Sequence, residues 1–477
     1  MKNKFLKYFL KIVENIFAAR FFSILKICKK KILKKSEKNK IEKMQKFAAF
    51  FFENFEFREN EKKLILRFSL DGKIFFSEQI FFDFNFAENF SRAAAARAFR
   101  GIFLMCGISY FKTFLPEKIF FRDEKFCEIE KNFFEKTWKN GLAEFFFKNK
   151  IERKINFENY EKAQKNAVEI LNLKNSVVPV GGGKDSILTA EILKNSGENF
   201  AIFLLQNSEK ISPILQNCAE KIGAKILKIR RILSPNLFDL NRRGAKNGHV
   251  PITAILHFLA TATAILTNRK NVVFSNENSA NEPTILNTKI NHQFSKSLEF
   301  ERDFRDFCAQ KISPNLQIFS FLRPLSELKI AEIFCQNFFE KYAENFSSCN
   351  QNFKILKKND FKKKSNFCGN CPKCAFVFLI FAPFLPREKL EKLFGNQNLF
   401  LKKSCEKFFF EILSGEKKPF ECVGNAAESR DAAFLAQKNW PEISTFLKKI
   451  PRPNFAKNEF YENFLPQKFV KFLKNFL

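Results

Sequence analysis

A short apolar run, Ser176-Val177-Val178-Pro179-Val180, feeds into Gly181-Gly182-Gly183-Lys184-Asp185-Ser186 and then into a helix-forming stretch at 187–194. A strand that enters a glycine turn and leaves as a helix is a phosphate cradle. Three glycines let main-chain amides approach an oxyanion without Cβ obstruction, and the helix points its positive end at the same place. Lys184 adds charge, Ser186 a hydroxyl donor for a phosphate oxygen, and Asp185 a carboxylate for Mg²⁺. The spacing is not that of a Walker loop.

A second chemistry is written in sulfur. Cys368-Gly369-Asn370-Cys371-Pro372-Lys373-Cys374 holds two overlapping Cys-x-x-Cys pairs, a spacing that turns several thiolates toward one Zn²⁺. A tetrahedral structural site needs a fourth ligand, and Cys349 in Phe346-Ser347-Ser348-Cys349-Asn350 is the nearest candidate. A redox pair, unliganded thiols and iron–sulfur ligation are the competing readings.

Further polar runs interrupt the Phe/Lys background: 247–251, 275–281, 291–297 with Glu299 and Glu301, 323–328, and 419–424 with Glu428-Ser429-Arg430. Two of the three histidines, His249 and His292, fall in these runs, whereas His257 sits in an apolar helix as a core residue. Together the runs are expected to line a cleft.

The elements that must position these groups are legible as alternating strands and helices. Strands are expected at 176–180, 200–205, 225–229 and 272–274, and helices at 187–194, 211–222 and 251–267. That alternation predicts an α/β fold with a doubly wound parallel sheet, whose ligands bind beyond the carboxyl ends of the strands. We divide the chain into a basic extension (1–43), an N-terminal α+β domain (44–165), a domain built around the glycine loop (166–345) and a mostly helical C-terminal region with the cysteines (346–477). In the second unit, 64–70 and 73–76 flank Asp71-Gly72 as a β-hairpin, and 93–106 is an Ala-rich helix. No residue of that unit carries obvious chemistry; it serves as a wall of the cleft or as a cap.

Composition bounds the rest. The 477 residues carry 82 Lys+Arg against 50 Asp+Glu, a formal +32, and 45% hydrophobic residues, which excludes global disorder. The charge alone would suggest nucleic acid. Phe, however, reaches 68 copies against 5 Tyr and 2 Trp, with Lys, Asn and Ile also abundant. A/T-rich codons explain that bias without selection for binding, so no specific nucleic-acid partner is expected. Residues 1–43 fall short of a spanning helix; they read either as an amphipathic helix in weak contact with a membrane surface or as a segment upstream of a start at Met44. A reducing, cytoplasmic setting fits the 12 cysteines.

The glycine loop resembles that of the ATP pyrophosphatase (PP-loop) superfamily, of adenine nucleotide alpha hydrolase-like fold, with Gly181 where that pattern has Ser. This resemblance implies cleavage of ATP to AMP and pyrophosphate, and adenine near Leu205, Gln206 and Asn207. The ordered series 181–186, 247–251, 275–281, 291–301, 323–328, 347–350, 368–374 and 419–424 resembles one branch, the UDP-N-acetylmuramoyl-L-alanyl-L-glutamate epimerases of an alternative route to D-Glu in peptidoglycan. The resemblance implies adenylation of the α-carboxylate of a UDP-muramoyl dipeptide by Mg·ATP, loss of the Cα proton, and reprotonation on the other face. Candidates for the two acid/bases are Cys349, Cys422, His249 and His292; Cys349 cannot serve if it binds zinc. Asn276, Glu277, Lys296, Arg323 and Arg430 are candidate substrate ligands. The alternatives are a 7-cyano-7-deazaguanine synthase-like enzyme, against which the long flanking segments speak, and a tRNA-modifying enzyme of the same superfamily.

Overall fold

The computed structural model describes residues 46–122, 125–162, 164–207, 212–349, 366–415, 417–448, 450–452, 455 and 460–477. The basic extension at 1–43 lies outside them, as do Asn350 and Ile211.

The N-terminal part builds an antiparallel meander: β1 (Ala49–Arg58), β2 (Lys63–Leu70) and β3 (Ile74–Asp83), with β4 (Lys118–Phe121) parallel to β1. Asp71 and Gly72 close the β2–β3 hairpin at φ +52° and +63°, the left-handed pair that matches strand twist in a two-residue turn. The Asp71 carboxylate also accepts the amide of Ala49 at 2.7 Å, tying the turn to β1. Helices α1 (Arg92–Cys106), α2 (Glu128–Gly141) and α3 (Ala143–Asn149) follow.

Next come β5 (Lys174–Pro179), α4 (Lys184–Asn195), β6 (Phe200–Gln206), β7 (Lys225–Ile232), α5 (Ile252–Leu266), β8 (Arg269–Phe274), β9 (Gln317–Ser320) and α6 (Glu327–Asn337). Their strands are mutually parallel in the order β9-β8-β5-β6-β7. Successive residues of these strands serve opposite faces, as the two-residue period of a strand demands. Val177, Phe203 and Val272 enter one core with α1 and α5; Val178, Leu204 and Val273 enter the other. The second core also takes α7 (Pro372–Phe381), α8 (Lys403–Ser414) and α9 (Ala426–Ala436), so the described elements beyond 345 are helical, as expected.

The expectation of an all-parallel sheet with a separate α+β unit is corrected. β3 pairs antiparallel with β7, so the meander and the parallel strands form one nine-stranded mixed sheet. The seam is sealed from within: Arg231 on β7 meets Glu78 on β3 at 2.7 Å with both side chains nearly inaccessible, and Tyr110 Oη donates to the same carboxylate at 2.8 Å. A buried pair of this kind holds only while both partners are present. His257 is indeed a core residue; its ring stacks on Phe274 at 3.7 Å, and burial pushes its pKa down to about 3, so it stays neutral. No helix among the described residues is long and apolar enough to cross a membrane.

Candidate active site

The glycine loop lies at the carboxyl end of β5. Gly182 adopts φ +77°, which a residue with a Cβ rarely takes, and a Cβ on Gly183 would meet Ser348 Oγ at 3.2 Å. The helix begins at Lys184, earlier than the sequence suggested, so Lys184, Asp185 and Ser186 form its first turn. No side chain caps that end, leaving its amides for an anion. On the neighbouring strand end, Gln206 is buried with neither end of its amide partnered among the described residues. A buried unpaired amide is costly, and it sits where the adenine of a nucleotide was expected.

The charge of Lys184 is engaged within the protein. Its ammonium is buried and ion-paired with both Asp185 and Glu327. Burial disfavours that charge, but the two carboxylates raise the lysine's pKa. Burial likewise opposes the Asp185 charge, while Lys184, Lys373 and Lys296 outweigh it and hold the carboxyl low. Ser186 Oγ donates to the Gly183 carbonyl at 3.0 Å. Two carboxylates behind Lys184 are pushed up: Glu277 to about 7 by burial and Glu327, and Glu428 to about 8 by burial, Glu277 and Glu327.

Cys422, partly exposed, lies on the loop before α9. Lys296 Nζ approaches its sulfur at 3.3 Å, and His292 hydrogen-bonds it as well. Burial would raise the thiol, but Lys296, His292 and Lys373 bring its pKa down to about 5. Burial would discharge His292, but Cys422 and Glu144 raise it to about 9. Cys422 and His292 therefore form a thiolate–imidazolium pair across neutral pH. The His249 ring lies 4.6 Å from that of His292 and is kept neutral: burial and the His292 charge lower it to about 4. Both Nδ1 atoms face one oxygen, Glu144 Oε2, so the three groups form a proton-sharing relay. Glu144 comes from α3 in the N-terminal part, where no chemistry was expected. Lys112, from the same part, donates to the Gly248 carbonyl at 2.6 Å and steadies the His249 loop.

This pairing has a direct readout. Iodoacetamide should alkylate Cys422 with a half-maximal rate near pH 5, against about 8.5 for an ordinary thiol. In Lys296→Met the midpoint should move upward, because the strongest stabilising charge is gone. A wild-type midpoint above pH 8 would contradict the thiolate assignment.

The remaining candidates divide. Cys349 joins Cys368, Cys371 and Cys374, with the four sulfurs within 4.8 Å of one another, and does not join Cys422. Arg323 and Arg430 are engaged within the protein. Arg323 is wholly buried, paired with Glu301 at 3.1 Å and donating to the Glu277 carbonyl at 2.5 Å. Arg430 donates from Nε to the Leu413 carbonyl and from Nη2 to that of Ser414, both at 2.7 Å, closing the end of α8. Asn276 spends its amide on Ser320 Oγ at 2.9 Å, and Glu277 accepts the Ser279 amide. Ala143 and Asn291, neighbours of Glu144 and His292, border a cavity of about 1110 Å³ that Lys139, Lys154 and Lys289 also line.

Known proteins resemble this chain over most of its length. Residues 41–321 match the MurL N-terminal domain and residues 345–453 the MurL C-terminal domain. A UDP-N-acetyl-alpha-D-muramoyl-L-alanyl-L-glutamate epimerase from Xanthomonas oryzae pv. oryzae is 35% identical over 375 residues, 77% of this chain and 81% of the relative. Epimerases of the same name from a Micromonospora species and from Salinispora tropica are 32% and 31% identical, each across 86% of this chain and 92% and 90% of their own length.

Proposed function

Because the chain belongs to the MurL family, both of whose domains it matches, we propose that it inverts the terminal glutamyl centre of UDP-N-acetylmuramoyl-L-alanyl-L-glutamate. The product would supply D-Glu to peptidoglycan precursors. The observation that carries this reading is the Cys422 thiolate, reachable from solvent and held between Lys296 and protonated His292.

In this reading Mg·ATP binds at the glycine loop, with Asp185 toward the metal and Gln206 toward the adenine. An oxygen of the substrate's α-carboxylate attacks the α-phosphorus; the bond to the β-phosphate breaks and pyrophosphate leaves. A Cα–H beside an ionised carboxylate is hardly acidic, since the carbanion would adjoin negative charge. Adenylation removes that charge and makes the carbonyl an electron sink. Cys422 then takes the Cα proton, with His292 and Lys296 holding it as the thiolate and Glu144 fixing the His292 ring, and the enolate is reprotonated on the opposite face. Water opens the mixed anhydride to the D-glutamyl carboxylate and AMP. The cavity beside Asn291, lined by Lys139, Lys154 and Lys289 together with Glu135, Glu152 and Glu299, has room for the UDP arm. A UDP-linked substrate and ATP suit a cytoplasmic enzyme.

The test is one incubation of the purified chain with Mg·ATP and the L,L-substrate, following pyrophosphate, AMP and the chirality of the glutamate. D-Glu should appear with stoichiometric AMP. D-Glu formed without ATP would overturn the adenylation step, and no D-Glu at all would overturn the reading.

A further inference from the structure

Three of the four clustered cysteines are buried and the fourth, Cys368, is partly so; none forms a disulfide. Cys368 Sγ and Cys374 Sγ stand 3.7 Å apart. Four zinc–sulfur bonds of about 2.3 Å set tetrahedrally separate their sulfurs by roughly 3.8 Å, so this spacing is already that of a mononuclear tetrathiolate. A cluster with inorganic sulfide would spread the ligands wider than the 4.8 Å limit found here. Softness and geometry favour zinc.

The ligand loops also touch the nucleotide cradle. The Ser347 amide, two residues before Cys349, donates to the Gly182 carbonyl at 2.9 Å. Ser347 Oγ in turn accepts the Cys349 amide at 3.2 Å and donates to the Asn366 carbonyl at 2.7 Å, knitting the two ligand loops together. Ser348 Oγ would stand only 3.2 Å from a Cβ on Gly183. On the other side, Lys373 lies between ligands Cys371 and Cys374, is buried, and acts through its charge on both Asp185 and Cys422.

We propose that Cys349, Cys368, Cys371 and Cys374 hold one zinc(II) ion, and that this ion clasps the glycine loop, so that metal loading and Mg·ATP binding are coupled. The coupling rests on reading the glycine loop as the nucleotide site; the metal assignment does not. The ion's part is structural, and no protein step passes through it.

Elemental analysis of the full chain purified under reducing conditions should give one zinc per chain, and Cys371→Ser should lose it. Stripping the wild type with a chelator should weaken Mg·ATP binding, measured by calorimetry, by about tenfold or more, an ordinary coupling between sites, and added zinc should restore it. That reversible arm decides the question even if the cysteine variant fails to fold. Iron in place of zinc, or a metal-free chain that zinc does not load, overturns the metal assignment. Stripped protein that binds Mg·ATP within about twofold of the loaded form overturns the clasp. A zinc-loaded chain that binds no Mg·ATP overturns the coupling together with the nucleotide reading and leaves the metal site standing.

Discussion

Cys422→Ala should abolish exchange of the glutamyl Cα proton with solvent while leaving pyrophosphate release in place. In the proposed mechanism each step has its own machinery: adenylation at the glycine loop before α4, proton removal at the loop before α9. The thiolate is the group whose protonation state suits a base, lowered to about 5 by Lys296, His292 and Lys373 against its burial. Its partner His292 is held in the acid form up to about 9. Epimerisation should therefore be greatest between these values, lost below about 5 as the thiolate takes a proton, and lost above about 9 as the imidazolium gives one up. Removing a positioned proton-transfer group costs on the order of 10²- to 10⁴-fold. In deuterium oxide the wild type should incorporate deuterium at Cα, and the variant should not, with ATP turnover as the internal control. Unchanged deuterium incorporation in Cys422→Ala would remove the residue from the mechanism.

The opposite separation is expected of Asp185→Asn. Its carboxylate is partly exposed at the first turn of α4 and paired with Lys184, which keeps Glu327 as a second partner in the variant. Replacing the carboxylate by an amide of the same shape removes the charge that would meet Mg²⁺ without opening a hole in the core. Pyrophosphate release should fall by on the order of 10²- to 10³-fold, the usual cost of a lost electrostatic contact to a developing charge. Cα exchange should fall with it, because an ionised carboxylate cannot stabilise the carbanion. Alkylation of Cys422 should persist and report an intact second site. Full ATP cleavage by Asp185→Asn would mean that the nucleotide binds elsewhere.

What the sequence disclosed follows from distance along the chain. The glycine loop is a contiguous strand, turn and helix, so its features are locally encoded, and β5 and α4 flank it as expected, with α4 starting three residues early at Lys184. The cysteine pairs are likewise local, and only the recruitment of Cys349 required folding. Glu144 was illegible because its meaning comes from His292, 148 residues away, and from packing of α3 against that loop. Arg323 looked like an anion clamp because a lone arginine in a polar run suggests one; burial beside Glu301 gives it an internal duty instead. The antiparallel join of β3 to β7 was invisible for a related reason. A strand's own pattern tells which face is buried, not which edge neighbour it will find.

That join also limits how the molecule can deform. Rotation of two bodies about a hinge needs a line that few bonds cross. Here the line between the meander and the parallel strands is crossed by a ladder from Gln79–Ile232 to Asp83–Lys228 and by the buried Arg231–Glu78 pair. The two parts are one stiff plate, and wedge-like opening would cost the ladder and strand two charges in the interior. In the proposed mechanism, substrate entry and release then fall to the loops that carry His249, His292 and Cys422.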